Sequence, residues 1–252
     1  VQALGGAKNH AVVLPGADLD YAADQLAAAG FGSAGQRCMA ISVAVAVGES
    51  GDALVEEVSR RAREIEVGPG LDPSSEMGPV VTPQARERIV DYIGQGASAG
   101  ARVTVDGREL EVDGGGFWVG PTVIDRVEPE MSVYRDEIFG PVLSVVRSGS
   151  LEEAIELINR NPYANGAAVF TGSGHEARRF QREVEVGMIG INVPIPVPMA
   201  FYSFGGWKDS LFGDHHIHGP EGVRFYTRGK AITSRWPESN AAFGSMHFPT
   251  SN

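Results

Sequence analysis

Residues 142–192 have the sequence VLSVVRSGSLEEAIELINRNPYANGAAVFTGSGHEARRFQREVEVGMIGIN, whose pattern of apolar runs indicates the fold class. Apolar runs at 142–146, 167–170 and 188–192 predict three short buried strands. The segments between them predict helices, the first of which begins with a capping box at 150–153. Strands that alternate with helices in this βαβαβ order indicate an α/β fold with a parallel sheet.

The residues before this stretch continue the same pattern. Strands are predicted at 10–14 and 39–47, and shorter ones at 102–105, 117–119 and 122–124. Helices are predicted at 18–30 and 52–66, and a third helix begins at Thr82-Pro83, where threonine caps and proline takes the first helical position. We expect one domain over residues 1–230, followed by an irregular C-terminal tail at 231–252 that serves in oligomerisation.

Charge and composition exclude several classes of function. The 252 residues include 21 basic and 32 acidic side chains, a net charge of −11 that provides no basic footprint for nucleic acid or for an anionic membrane surface. The most apolar stretch, 188–204, carries three prolines and is a poor membrane helix. A signal peptide is not recognisable, so we expect a cytoplasmic protein that binds neither nucleic acid nor membrane. The start at Val1, inside a structured pattern, suggests a piece of a longer protein.

Two short motifs do not indicate a site. Residues 30–35 match G-x-G-x-x-G, but they end a predicted helix and precede a strand, whereas a dinucleotide-binding loop follows a strand and opens a helix. The H-x-H pattern at 214–218 lacks a carboxylate cluster or a second histidine pair, so we interpret it as a polar turn and expect no metal site.

The single cysteine has a suggestive position. Cys38 follows Gly35-Gln36-Arg37 in a predicted turn between a helix and a strand. Backbone amides and the neighbouring Arg37 would favour the nucleophilic thiolate, although a lone cysteine is more often a small buried apolar residue. A cysteine hydrolase would also need a histidine base, and none of the six histidines lies in a pattern that places it beside Cys38.

Five motifs in order give the chain its resemblance to a family. Each resembles a conserved segment of aldehyde dehydrogenases, and the third does so in variant form. The five are 31–38 (FGSAGQRC), 137–141 (EIFGP), 161–166 (NPYANG), 204–210 (FGGWKDS) and 225–230 (FYTRGK). The resemblance covers essentially the whole chain. It implies the α/β catalytic domain of that family, with a mostly parallel sheet flanked by helices, and with the Rossmann half absent.

The resemblance also implies roles for individual residues. Cys38 matches the catalytic cysteine, which attacks the aldehyde and forms a thioacyl-enzyme after hydride leaves to NAD. Glu137 and Phe139 match residues that bind the nicotinamide ribose, and Gly5 is placed with them as a cofactor-binding residue. Because the nucleotide-binding half is missing, we expect this polypeptide to need an N-terminal partner half and to have no useful dehydrogenase activity alone.

One departure from the family narrows the function. Alignment on Lys8 places Leu4 where hydrolytic members carry the glutamate that activates water, and leucine cannot accept a proton. Coenzyme A carries a thiol that needs less base assistance than water, so it is the expected acyl acceptor and co-substrate. The segments 6–10 and 35–38 resemble the CoA-acylating methylmalonate-semialdehyde dehydrogenase branch of the family.

Arg37 fits the substrates that this resemblance implies. Malonate and methylmalonate semialdehyde each carry a carboxylate, which an arginine beside the nucleophile can bind; activation of Cys38 and a structural salt bridge are the alternatives. Three hypotheses stay open: the catalytic half of a CoA-acylating, homo-oligomeric enzyme, a hydrolytic aldehyde dehydrogenase whose base comes from elsewhere, and a truncated domain that acts only in assembly.

Overall fold

A computed structural model describes residues 1–113 and 115–236. Within these residues the α-helices are α1 (Leu19–Phe31), α2 (Gly51–Glu64), α3 (Pro83–Ser98), α4 (Ser132–Arg135), α5 (Leu151–Arg160), α6 (Gly174–Glu183) and α7 (Gly219–Tyr226). The strands are β1 (Ala3–Leu4), β2 (Asn9–Val13), β3 (Ile41–Val47), β4 (Arg102–Val105), β5 (Thr122–Asp125), β6 (Val142–Ser148), β7 (Tyr163–Ala164), β8 (Gly166–Phe170), β9 (Met188–Ile191), β10 (Trp207–Lys208) and β11 (Leu211–Phe212).

Seven strands form one sheet in the order β4-β5-β6-β3-β2-β8-β9. Every neighbouring pair is parallel except β4 with β5, which confirms the predicted mostly parallel sheet. The chain passes from β2 to β3, continues to the edge strand β4, and returns through β5 to β6 before it crosses to β8 and β9. Because crossovers between parallel strands are right-handed, α1 covers one face of the sheet and α5 and α6 cover the other. Helix α2 packs against α1.

The helices α3 and α5 begin at the predicted caps, Thr82 and Ser150, and α1 has a further cap at Asp18. The side chains of Asp18, Thr82 and Ser150 each accept a hydrogen bond from the backbone amide three residues later. The central strands β2 and β3 are almost entirely buried and, apart from Asn9, His10 and Ser42, apolar, as expected for strands covered on both faces. Strand composition and caps are local features, and for this reason the sequence located these elements to within about two residues.

The strand predicted at 117–119 is wrong. That segment is irregular, and the carbonyl oxygen of Phe117 accepts a 2.9 Å hydrogen bond from the amide of Val80 in a loop. Two antiparallel pairs, β1 with β11 and β7 with β10, are not predicted by the sequence pattern, and each has only two residues per strand. Such short strands depend on partners distant in sequence, so they leave no periodic signal.

Four neighbouring strands of the sheet begin beside one another. The segments that precede them carry the motifs singled out above: Lys8 before β2, Cys38 before β3, Glu137 before β6 and Asn165 before β8. Since β6, β3, β2 and β8 are adjacent and parallel, these segments meet at the amino-terminal edge of the sheet. Ligands of open α/β sheets more commonly bind at the opposite, carboxyl edge.

None of the helices within 1–113 and 115–236 has both the length and the apolar character that a bilayer crossing demands. The predicted oligomerisation tail, 231–252, lies for the most part outside the described residues, which end at 236.

Candidate active site

A strained turn presents Cys38. Ser33, Ala34 and Gly35 are consecutive residues with φ of 55°, 53° and 67°, in the left-handed region that side chains with a Cβ disfavour. A Cβ on Gly35 would lie 2.0 Å from the carbonyl oxygen of Gly140, so only glycine lets the two backbones approach. The turn thus brings the segment of Cys38 against the segment 137–141, and Cys38 is exposed as a free thiol. Strained backbone of this kind concentrates at functional sites.

Two side-chain amides hold the backbone of Cys38. Its carbonyl oxygen accepts hydrogen bonds from Nδ2 of Asn9 at 2.9 Å and from Nδ2 of Asn165 at 3.1 Å. Sequence reasoning did not select either asparagine as a site residue. The available signal was the variant form of the 161–166 motif, in which Asn165 lies.

The segment of Glu137 is fixed by the residues that precede β2. The amide of Ala7 donates a 3.1 Å hydrogen bond to Oε1 of Glu137. The Lys8 ammonium nitrogen, Nζ, donates to the carbonyl oxygens of Val133 at 2.8 Å and Asp136 at 2.7 Å. Burial raises the pKa of Glu137 and lowers the pKa of Lys8 to about 7, against the opposing influence of their mutual attraction.

Phe139 and Leu4 are partly open to solvent. Phe139 has a φ of 55° and is 37% exposed, two residues from Glu137. Leu4 is 53% exposed in β1, opposite Leu211 of β11. A 53% exposed leucine is not part of a core, so the position offers room for a polar side chain.

Gly5 is bound to the turn that connects β10 and β11. Its amide donates a 3.0 Å hydrogen bond to the carbonyl oxygen of Ser210, and a Cβ on Gly5 would lie 1.9 Å from the carbonyl oxygen of Asp209. Gly5 is therefore required by a close backbone approach. Its predicted contact with the cofactor stays a prediction.

Arg37 contacts the end of α1. Its Nη2 atom donates to the carbonyl oxygens of Ala28 at 2.9 Å and Ala29 at 3.2 Å. The Nε atom is buried and has no hydrogen-bond partner within residues 1–113 and 115–236. These carbonyls are among the last of α1, where a cation is favourable. Among the described residues no carboxylate forms a salt bridge with Arg37, so the alternative of a structural salt bridge receives no support.

Two histidines, His10 and His215, take structural roles. Nε2 of His10 lies 3.0 Å from the Tyr134 hydroxyl, which donates to the carbonyl oxygen of Leu157. Burial lowers the pKa of His10 to about 3, so its ring is neutral. In the H-x-H turn, Nδ1 of His215 lies 2.7 Å from Oε2 of Glu221. The part of the chain that the structure describes contains no group of three His, Cys, Asp or Glu side chains that could hold a metal ion.

Four of the five predicted site residues line one narrow recess, and Gly5 is not among them. Cys38, Arg37, Glu137 and Phe139 all line it, together with Lys8 and Asn9. The recess therefore combines an exposed thiol, a half-buried carboxylate and a partly exposed aromatic ring. This set can supply a nucleophile and an acceptor for hydroxyl groups.

Comparisons with known proteins show the family to which the chain is similar. The model of the aldehyde dehydrogenase family matches residues 1–232. A malonate-semialdehyde dehydrogenase of Pseudomonas aeruginosa is 56% identical over 241 residues, which cover 94% of this chain and 48% of the relative. The chain therefore spans about half the length of the curated relatives it matches.

Solved structures also include enzymes of this kind that resemble the chain in sequence and fold. The crystal structure of methylmalonate-semialdehyde dehydrogenase from Oceanimonas doudoroffii is 53% identical, with a TM-score of 0.93, over 94% of this chain and 49% of that chain. A protein from Sinorhizobium meliloti 1021, solved as a complex with NAD, is 49% identical with a TM-score of 0.93 over 95% of this chain and 49% of that chain. The fold predicted from the sequence is confirmed.

Proposed function

We propose that this chain, which belongs to the aldehyde dehydrogenase family, is the catalytic portion of a CoA-acylating dehydrogenase for malonate or methylmalonate semialdehyde. The observation that carries the proposal is the recess in which the exposed thiol of Cys38 lies with Glu137 and Phe139. The names of the malonate- and methylmalonate-semialdehyde dehydrogenase relatives support the substrate class.

In the proposed first step, Cys38 attacks the aldehyde. Its thiolate sulfur forms a bond to the aldehyde carbon, the π bond of the carbonyl breaks, and the oxygen takes the negative charge. The backbone amide of Cys38 is one donor for this oxyanion. The exposure of the thiol and the two amides that hold its carbonyl group support the role of Cys38.

The residues of the recess fit the ribose of NAD. One carboxylate oxygen of Glu137 accepts a hydrogen bond from the amide of Ala7. The carboxylate has further lone pairs that can accept from two hydroxyl donors. Phe139, partly exposed beside it, offers an apolar surface. When bound, NAD accepts the hydride that leaves the carbon attached to Cys38, so that a thioester remains on the cysteine.

Release of the acyl group is proposed to require CoA. The position of Leu4 provides no general base for water. The thioester then loses carbon dioxide from its carboxylate, and the electron pair left on the α-carbon takes up a proton from water. The CoA thiolate attacks the acyl carbon, and the Cys38 thiolate leaves. The product is acetyl-CoA from malonate semialdehyde or propionyl-CoA from methylmalonate semialdehyde. Arg37, which lines the recess, is proposed to bind the substrate carboxylate through N–H groups other than those that cap α1.

The test uses a hybrid enzyme in which this chain is fused behind the amino-terminal half of the Pseudomonas aeruginosa relative. We expect NADH and acyl-CoA to form together from either semialdehyde when CoA is present. Neither should form with C38S, nor with the 252-residue chain alone at a rate typical of enzymes. Release of free acid without CoA would instead identify a hydrolytic enzyme. A hybrid that folds but forms no NADH would favour the assembly role.

A further inference from the structure

The carbonyl group of Cys38 is bound in an unusual way. Backbone carbonyls mostly pair with backbone amides, but this one accepts from two side chains, Asn9 and Asn165. Asn9 is the first residue of β2 and Asn165 immediately precedes β8, and the two side chains belong to residues that are only 2% and 6% exposed. A buried pair of amides that converges on one carbonyl oxygen uses both of its lone pairs.

Each amide is held in place by further contacts. Nδ2 of Asn9 also donates to the carbonyl oxygen of Ala40 at 2.9 Å, and its Oδ1 accepts from the amide of Gly166 at 3.1 Å. Nδ2 of Asn165 also lies 3.0 Å from Sδ of Met39. Because these contacts use both ends of the Asn9 amide, that side chain cannot turn away from Cys38 without the loss of buried hydrogen bonds.

We propose that Asn9 and Asn165 are positioning residues that fix the peptide plane between Cys38 and Met39 and thereby hold the Cys38 thiol at the recess. This inference rests on the proposed function of Cys38 as the nucleophile. The carbonyl carbon and the Cβ of Cys38 share one Cα, so rotation of the peptide plane changes the surroundings of the thiol. A misplaced reacting group reduces rate strongly, even when its chemistry is unchanged.

The tight packing around this peptide leaves little freedom for another arrangement. A Cβ on Gly166 would lie 2.6 Å from Cε of Met39, so the residue after Asn165 lies directly against the residue after Cys38. Loss of one amide would leave a buried carbonyl with a single partner. We therefore expect the peptide to adopt several orientations in its absence.

The test exploits the fact that the chain has one cysteine. Labelling with [1-13C]cysteine gives a single carbonyl resonance, whose chemical shift reports the hydrogen bonds to the Cys38 oxygen. The rate constant for alkylation of the thiol by iodoacetamide, measured across pH, reports its presentation. We expect N165A and N9S each to move the resonance upfield and to slow alkylation of the thiolate by about 2- to 10-fold, as for one lost hydrogen bond.

Asn159 provides the matched control. It also bridges two backbone groups, donating to the carbonyl oxygen of Glu183 at 2.9 Å and accepting from the amide of Glu185 at 2.8 Å, but at the end of α5. N159A should leave both the resonance and the alkylation rate unchanged. The conservative variant N165Q should recover part of the shift if its amide reaches the carbonyl. Should N9S fail to fold, N165A and N165Q carry the test.

Three results would overturn the inference. A resonance that does not move in N165A would show that the amide does not bind the carbonyl. A resonance that moves without a change in alkylation rate would separate the hydrogen bond from thiol placement. An equal effect of N159A would indicate general loosening of the fold. Failure of the proposed function is distinguishable, because wild-type Cys38 would then form no acyl-CoA in the hybrid enzyme whatever the carbonyl resonance shows.

Discussion

The backbone amide of Ala7 donates a 3.1 Å hydrogen bond to Oε1 of Glu137, across 130 residues of sequence. This bond orients the carboxylate that is proposed to receive the ribose hydroxyls of NAD. In E137Q the amide oxygen can still accept from Ala7, but the charge is lost. Hydrogen bonds to a charged acceptor are stronger than neutral ones by about 1 kcal/mol, so we expect the KM for NAD of the hybrid enzyme to rise about 5-fold.

The control for E137Q is E152Q, which changes a carboxylate on α5 that pairs with Arg179 at the surface. Its KM for NAD should equal that of the wild type. An unchanged KM for NAD in both E137Q and E137A would show that Glu137 does not contact the cofactor.

A glutamate at position 4 should restore hydrolysis. Leu4 occupies the position at which hydrolytic relatives are expected to carry their base, and it is 53% exposed, so a carboxylate is tolerated there. A general base contributes about 10²- to 10⁴-fold to such steps, and we expect L4E in the hybrid enzyme to release free acid without CoA at least about 10-fold faster. A3E, on the opposite face of the same strand β1, serves as the control. Equal acid release by both variants would refute the role of this position.

Lys8 should give stability a distinctive pH dependence. Burial lowers its pKa to about 7 in the folded chain, from an ordinary value of 10.5. Between these values the unfolded chain binds the additional proton, so this residue makes the free energy of unfolding rise as pH increases from about 7 to 10.5. The slope is at most about 1.4 kcal/mol per pH unit. Below pH 7 both states are protonated and the contribution is constant.

Urea denaturation at several pH values tests this expectation. K8M lacks the titrating group, so the difference in unfolding free energy between wild type and K8M should increase in favour of the wild type as pH rises above 7. K230M removes an exposed lysine and should leave the wild-type slope intact. Parallel curves for wild type and K8M would contradict the lowered pKa of Lys8.

Gly35 should tolerate no side chain. G35A introduces a Cβ at 2.0 Å from the carbonyl oxygen of Gly140, in addition to the cost of its φ of 67°. Gly100 has a φ of 99° with nothing within 4 Å of its Cβ position, so G100A isolates the backbone cost of about 1–2 kcal/mol. We expect G35A to lower the unfolding free energy by clearly more than G100A in urea denaturation. Equal losses would mean that the two backbones can separate freely.

The sequence predicted well what local chemistry controls. Capping residues such as Thr82 and apolar runs such as 41–47 depend on neighbours in the chain, and the structure has them where the pattern indicates. The segment 117–119 has the composition of a strand, but it is irregular, and its Phe117 carbonyl oxygen accepts a hydrogen bond from the amide of Val80 in a loop. The contact of Arg37 with the carbonyls of α1 was not foreseen, because adjacency to Cys38 in sequence does not fix where a long side chain points.

The sequence alone determined the alternating strands and helices, the single thiol and the order of the motifs, since these follow from residue type and spacing. Only the tertiary structure decided that Lys8, Cys38, Glu137 and Asn165 meet. Their segments lie up to 157 residues apart, as between Asn9 and Gly166. They come together because β6, β3, β2 and β8 are neighbours in one parallel sheet and begin at one edge. Strand order depends on the packing of the whole chain, which no local pattern encodes.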